Sequence, residues 1–257
     1  MSVLAGKRIL VTRPRAQAAG LSDRLAALGA EPILFPTIEI GPVDDYSALD
    51  AALSRLERYH WLIFTSVNGV AAFWDRWGRA GPADRPLPEE LQVAAIGPAT
   101  AAALERHGVR PALIPDEYVA EAILAQIGPV EGRWILLPRA DLAREVLADE
   151  LGRRGANVHE IAVYRTLPAA PDPAGLAALR RGVDALTFTS SSTVRNFVAL
   201  AGRATGGARV ACIGPITART ARELGLPVHI VAHPYTSEGL VAALVEHFST
   251  PGAPEEH

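Results

Sequence analysis

Lysine is all but absent from this 257-residue chain: Lys7 stands alone, and every other basic side chain apart from histidine is arginine. A Schiff-base lysine or a phosphate-loop lysine would have to be Lys7, which precedes the first strand-like run and is badly placed for either task. Cysteine is as scarce. With Cys212 alone, neither a disulfide framework nor a thiolate metal site can form, and within Val210-Ala-Cys-Ile-Gly214 it reads as a small buried hydrophobe on a strand. The seven histidines do not cluster. His229 and His233 have the spacing of a helical metal pair, but Pro234 and the β-like Val228-His-Ile-Val231 oppose a helix there, so no metal site is expected.

No apolar run approaches the ~18 residues of a membrane span. The segment Met1-Ser-Val-Leu-Ala-Gly-Lys-Arg8 has no apolar export core, which leads us to expect a cytoplasmic protein. A formal net charge of −3, with both signs scattered, leaves no basic footprint for nucleic acid or anionic lipid. Phosphate-loop, dinucleotide-fingerprint and Gly-x-Ser-x-Gly patterns are also missing.

What is present is enough apolar material, 49% of the residues, for one large or two medium domains. Strand-like runs at Lys7–Val11, Pro32–Phe35, Trp61–Phe64, Val93–Ile96, Pro111–Ile114, Trp134–Leu137, Asn157–Ile161, Ala185–Phe188, Arg209–Ile213 and Val228–Val231 alternate with Ala/Leu-rich helical patterns. Ala16–Leu28, Ala99–His107, Ala143–Arg153 and Ile216–Leu224 are examples of the latter. Such alternation implies parallel sheets covered by helices.

The second half echoes the first. Arg8-Ile-Leu-Val-Thr-Arg13 resembles Trp134-Ile-Leu-Leu-Pro-Arg139, and each leads through a helix to a Gly-Ala pair, Gly29-Ala30 or Gly155-Ala156. Trp61-Leu-Ile-Phe-Thr-Ser66 matches Ala185-Leu-Thr-Phe-Thr-Ser190. Val93-Ala-Ala-Ile-Gly-Pro-Ala-Thr100 matches Val210-Ala-Cys-Ile-Gly-Pro-Ile-Thr217, with Gly108 and Gly225 ending the helices that follow; Tyr118-Val-Ala-Glu121 parallels Tyr235-Thr-Ser-Glu238. Two flavodoxin-like α/β units are expected. Pro36–Pro42 and Ala162–Pro168 fall outside them and look like extended crossings between domains with proline borders. A two-crossing chain and a simple half-per-domain chain both fit these observations. Gly78–Pro88 reads as a surface loop, and the residues from Ser249 onward as a frayed tail.

In open parallel sheets, ligands bind beyond the carboxyl ends of the strands. Thr65-Ser66-Val67-Asn68-Gly69 and Thr189-Ser190-Ser191-Ser192-Thr193 put hydroxyls there in greater number than a helix cap requires, although capping alone explains Ser66 or Ser191. Gly97 and Gly214 sit at strand-to-helix turns with a proline next, followed by Thr100 and Thr217 in the first helical turn. Open amides at such a helix start attract anions, and a well-built turn explains the Gly-Pro pair equally well. Arg13 and Arg139 follow strand ends and could fork onto carboxylates or stay solvated. Tyr164 lies in the second crossing, as a neutral donor at pH 7 or as linker packing.

Taken in order, Val11-Thr-Arg-Pro14, Phe35-Pro36, Phe64-Thr-Ser66 with Asn68-Gly-Val70, Ile96-Gly-Pro98 with Thr100, Tyr164-Arg-Thr166, Phe188-Thr-Ser190 with Ser192-Thr-Val194, and Ile213-Gly-Pro215 with Thr217 resemble the uroporphyrinogen-III synthase family over nearly the whole chain. The resemblance implies two flavodoxin-like parallel-sheet domains, one of them discontinuous (1–36 with 168–257, and 42–161). The linker strands would be 37–41 and 162–167. It implies a monomeric, cofactor-free enzyme that folds a linear tetrapyrrole polyanion in a cleft between its domains and closes it with inversion of one ring. Tyr164 would then assist departure of the substrate hydroxyl. Arg13, Thr65, Ser66, Asn68, Gly97, Thr100, Arg139, Thr189, Ser190, Ser191, Gly214 and Thr217 would line the substrate. A two-lobed sensor of an anionic ligand, without catalysis, is the competing expectation.

Overall fold

The computed structural model describes residues 2–81, 85–141 and 146–249. Along the chain, β1 (Arg8–Val11), α1 (Arg15–Ala27) and β2 (Glu31–Leu34) are followed by β3 (Ile38–Gly41), α2 (Ser47–Leu53), β4 (Trp61–Phe64) and α3 (Val67–Arg79). Next come β5 (Gln92–Ala95), α4 (Pro98–Glu105), α5 (Ala120–Gln126), β6 (Trp134–Ala140), α6 (Val146–Arg153) and the long β7 (Asn157–Pro168). The chain continues with α7 (Pro173–Arg180), β8 (Ala185–Phe188), α8 (Ser191–Ala201), β9 (Arg209–Cys212), α9 (Pro215–Glu223), β10 (Ile230–Val231) and α10 (Ser237–Ser249).

These elements divide into two compact units. One is built from the chain up to Glu39 and from Leu167 onward, the other from Ile40–Thr166. In the first unit the sheet order is β10-β9-β8-β1-β2, with every pair parallel. Read in the unit's own chain order this is 2-1-3-4-5, the flavodoxin-like winding. In the second unit the order is β3-β7-β6-β4-β5. Matching β6 to β1, β7 to β2, β4 to β8 and β5 to β9, as the repeat does, gives the same order, with Leu113 bridging Ala94 in the place of β10. The mixed α/β architecture with two parallel-dominated sheets is therefore the one the alternation implied.

Two faces of each sheet are buried, as parallel strands require. In the first unit, Ile9 and Val11 pack on one side with Leu21, Leu25, Leu240 and Leu244, while Leu10, Leu186 and Phe188 pack on the other with Phe35, Val194 and Phe197. In the second, Leu62, Phe64 and Leu136 face Val70, Phe73 and Trp77 of α3; Ile63, Ile135 and Leu137 face α5 and α6. Each such large side chain contributes roughly 1.5–3 kcal/mol on leaving water. The repeated glycines are at turns that need them: Gly29, Gly108, Gly155 and Gly225 all have φ between 74° and 83°, which L side chains rarely adopt.

Several expectations are corrected. Pro111–Ile114 is no strand; it contributes one bridge, because Pro111 and Pro115 leave only three residues between them to pair. Asn157–Ile161 and the second crossing are one strand, β7, and β3 joins the same sheet. The surface loop begins later than Gly78, since α3 runs on to Arg79 to complete the Val70–Phe73–Trp77 stripe, and Arg85 then stacks on Trp77 at 3.5 Å. Within that loop, residues 82–84 lie outside the described residues, as do 143–145 of the expected Ala143–Arg153 helix and the tail beyond Ser249.

Candidate functional site

In each unit the strand order reverses between two neighbouring strands, β1 and β8 in the first, β6 and β4 in the second. Loops diverge there and leave room at the carboxyl ends of the strands. Thr12, Arg13, Thr189 and Ser190 follow the first pair; Thr65, Ser66 and Asn68 follow β4, and Arg139 is the last residue but one of β6.

The second unit gathers the most chemistry. Ser66 is the N-cap of α3, and its Oγ accepts the Gly69 amide at 2.9 Å. The same Oγ lies 3.1 Å from the Tyr164 hydroxyl, and Asn68 hydrogen-bonds that phenol as well. Tyr164 is 8% exposed and packed in the core beneath α3. Burial pushes its phenol above the usual range; Ser66, Asn68 and the Arg139 charge pull the other way, and Asp141 adds to the rise. The group is therefore protonated throughout the neutral range. Either hydroxyl can donate across the Ser66–Tyr164 pair, so the phenol can give its proton to Ser66 or accept one from it.

Of the two expectations for Arg139, a solvated arginine is not what is found, and the carboxylate it meets is one of the chain's own. Its side chain is only 7% exposed, Nη1 donates to Glu160 on β7, and Nη2 is buried with no partner. Arg13, its counterpart in the repeat, is half-buried. Its Nη1 donates to Ser237 Oγ at 2.9 Å, and its Nε is buried without a partner. Burial lowers the Arg13 pKa from its ordinary value, and Glu238 opposes that shift.

The serine-threonine run of the first unit is largely spoken for. Ser190 and Thr193 form a capping box, and Ser191 Oγ lies 2.8 Å from Thr220 Oγ1 on α9. Thr189 and Thr65 stay at the surface or near it. Thr100 and Thr217 are buried in the first turns of α4 and α9. Gly97 and Gly214 have extended backbones that any residue could adopt, so their need is steric: a Cβ on Gly97 would lie 3.0 Å from Tyr118 Cγ, and one on Gly214 3.3 Å from Tyr235 Cγ. The tyrosines that reappear in the repeat thus cover the two Gly-Pro turns.

Sequence reasoning missed Glu160, Asp141 and this use of the tyrosines. The repeat singled out Tyr118 and Tyr235 without giving them a task, and Glu160 has no motif around it. Among the described residues no three His, Cys, Asp or Glu side chains group as a metal ion would require, and no helix is long and apolar enough to cross a membrane.

The chain is similar to known proteins along most of its length. The family model described as uroporphyrinogen-III synthase HemD matches residues 19–242. The uroporphyrinogen-III synthase of Synechococcus elongatus is 35% identical over 253 residues, covering 94% of this chain and 95% of that one. The Chlorobaculum parvum protein of the same name is 30% identical over 247 residues, covering 93% and 98%. Among solved structures, a mutant uroporphyrinogen III synthase of Thermus thermophilus superposes with a TM-score of 0.66 at 23% identity, over 95% of this chain and 99% of that one. The Helicobacter pylori uroporphyrinogen-III synthetase gives 0.63 at 18% identity, over 94% and 99%. At those identities the two structures speak for the fold, whereas the family match and the 30–35% relatives speak for descent, and the chain belongs to the uroporphyrinogen-III synthase family.

Proposed function

We propose that this chain closes hydroxymethylbilane to uroporphyrinogen III, with loss of water and inversion of the terminal pyrrole ring. It does so without a cofactor, as a monomer in the cytoplasm. The hydroxymethyl C–O bond breaks and its oxygen leaves as water. The methylene cation left behind is attacked by the substituted carbon of the terminal ring; the spiro intermediate fragments and recloses at the free carbon, which gives up the proton that balances the step.

The observation that carries the mechanistic reading is the Tyr164–Ser66 pair within a chain of this family. A departing hydroxyl needs a hydrogen-bond or proton donor, and a desolvated phenol held by Ser66 and Asn68, protonated at neutral pH, is a donor of that kind. The remaining work is to hold a polyanion folded with its two ends adjacent, which is orientation and preorganised electrostatics. For the substrate carboxylates we assign Arg13, Thr65, Thr189, the buried Thr100 and Thr217, and the amides that open α4 and α9 after Gly97 and Gly214. Ser66 and Asn68 serve through Tyr164. Arg139 is left out because its guanidinium is buried on Glu160, and Ser190 and Ser191 because their hydroxyls are engaged.

Supplying hydroxymethylbilane, oxidising the products and resolving the type I and type III isomers tests this. Type III is expected to dominate with the protein present, whereas a product mixture identical to spontaneous closure overturns the assignment. Tyr164→Phe should lower type III turnover by about 10²-fold or more while the variant still folds cooperatively; wild-type turnover would remove the phenol from the chemistry.

A further inference from the structure

Along β7 the side chains keep a strict alternation and then break it. Val158 packs on the α5/α6 side of the sheet, and Ile161 and Val163 on the α3 side. Tyr164, next in line, should face away from α3 by the two-residue period of a strand, yet it shares the α3 side with Val163. The register explains how. Arg139 pairs with Ala162 and Ala140 with Tyr164, so one residue of β6 is passed while β7 advances by two, and Val163 is the extra residue. A bulge of this kind re-aims the side chain that follows it.

We infer that Arg139, Glu160 and Asp141 are positioning residues that hold this bulge, and that the bulge is what turns Tyr164 onto Ser66 and Asn68. Before the bulge, the Arg139 guanidinium is anchored to Glu160 across the two strands. After it, the Asp141 amide donates to the Tyr164 carbonyl at 3.0 Å, the Thr166 amide donates to the Asp141 carboxylate at 3.3 Å, and the Arg165 guanidinium stands 3.8 Å from that carboxylate. The two anchors leave only Ala140 between them on β6, so the slip has one place to occur.

The first unit supplies the contrast. There β2 slips against β1 at the equivalent place, with the Phe35 amide on the Val11 carbonyl and the Thr37 amide on the Thr12 carbonyl. The residue so turned is Thr37, fully buried, whose hydroxyl lies against the Thr12 and Thr193 carbonyls. Arg13, the counterpart of Arg139, reaches to Ser237 on α10 and leaves β2 alone. Among the described residues, the first unit pairs Arg8 with Glu31 at the start of β1 and β2 and shows no ion pair between those strands at the slip, where the tyrosine-bearing unit has Arg139 on Glu160.

This inference rests on the proposed role of Tyr164 for its effect on turnover, but its structural half is measured without turnover. The phenol of Tyr164 can be followed by ultraviolet or carbon-13 tyrosine titration, taking the difference from Tyr164→Phe. In Glu160→Gln, changed at the partly exposed partner, and in Arg139→Gln, the Tyr164 signal should move toward that of a solvated tyrosine. Type III kcat should fall about 10-fold with KM within twofold, and Arg139→Lys should restore part of the loss. A raised KM at unchanged kcat would make Arg139 a substrate ligand and overturn the inference. An unmoved Tyr164 signal in folded Glu160→Gln would also overturn it. If Tyr164→Phe keeps full turnover, the chemical role of the phenol fails, while the titration still decides whether the ion pair aims it.

Discussion

The ring of Phe35 stands where a side chain on residue 175 would have to go: a Cβ on Gly175 would lie 2.4 Å from Phe35 Cδ2. Phe35 is fully buried and edge-on to Phe197 at 6.0 Å. Alanine at a helical glycine ordinarily gains about 0.8–1 kcal/mol of helix propensity, whereas overpacking a filled core costs about 1–3 kcal/mol. Gly175→Ala should therefore lower stability in denaturant unfolding. Gly78→Ala, in α3 with nothing within 4 Å of the new Cβ, should raise it by roughly 0.5–1 kcal/mol.

Tyr118 and Gly97 should behave as one unit. The new Cβ of Gly97→Ala meets Tyr118 Cγ at 3.0 Å and Cδ1 at 3.1 Å, so the ring must move off the turn. Removing the ring as well should recover part of the loss, giving a coupling of about 0.5–3 kcal/mol in a double-mutant cycle with Tyr118→Ala. Gly214→Ala, with Tyr235 at 3.3 Å, should be the milder of the two single changes. Additive effects at Gly97 and Tyr118 would contradict the packing described.

Cys212 should be inert while the protein is folded. It is fully buried at the end of β9, and burial pushes its thiol up to about 12 against the weak pull of Arg222. An aromatic disulfide reagent at pH 8 should find no thiol in the native state and one in guanidinium. Rapid labelling of native protein would show that β9 opens.

Asp184 sets an acid limb of stability. Burial works against its ionisation, but the Arg8 amide and Lys7 ammonium outweigh that and hold its pKa below the ordinary carboxylate value. A depressed folded pKa contributes stability that is present above the unfolded value, about 3.9. That contribution is lost as pH falls through the folded value. Asp184→Asn should cost about 1–2 kcal/mol at pH 7 and flatten the pH dependence of unfolding below about pH 4. An equally steep acid limb in the variant would assign it to other carboxylates.

The α/β alternation, the turn glycines and the repeat could be read from the chain because each is local. Gly29 and Gly155 close their turns with positive φ, and the blocks at Trp61 and Ala185 fold as β4 and β8. Reading failed where proline competed with pattern, at 111–114, and where an apolar helix face outlasted its glycine, at Gly78. Nor can it apportion the serine-threonine run at 189–193, since hydroxyl number says nothing about which of them a cap or a neighbouring helix consumes. Ser191 is held by Thr220 at a separation of 29 residues.

Local periodicity and turn chemistry thus suffice to specify two doubly wound units and to bring Thr65, Ser66, Arg139 and Thr189 to strand ends, because neighbours along the chain set backbone conformation. Which of those groups remains free for a ligand is a tertiary matter. Tyr164 meets Ser66 across 98 residues of chain, and Arg139 meets Glu160 across 21. A one-residue bulge decides which face of β7 the phenol occupies. That choice depends on strand pairing and on a charge buried between strands, and neither leaves a periodic trace in the sequence.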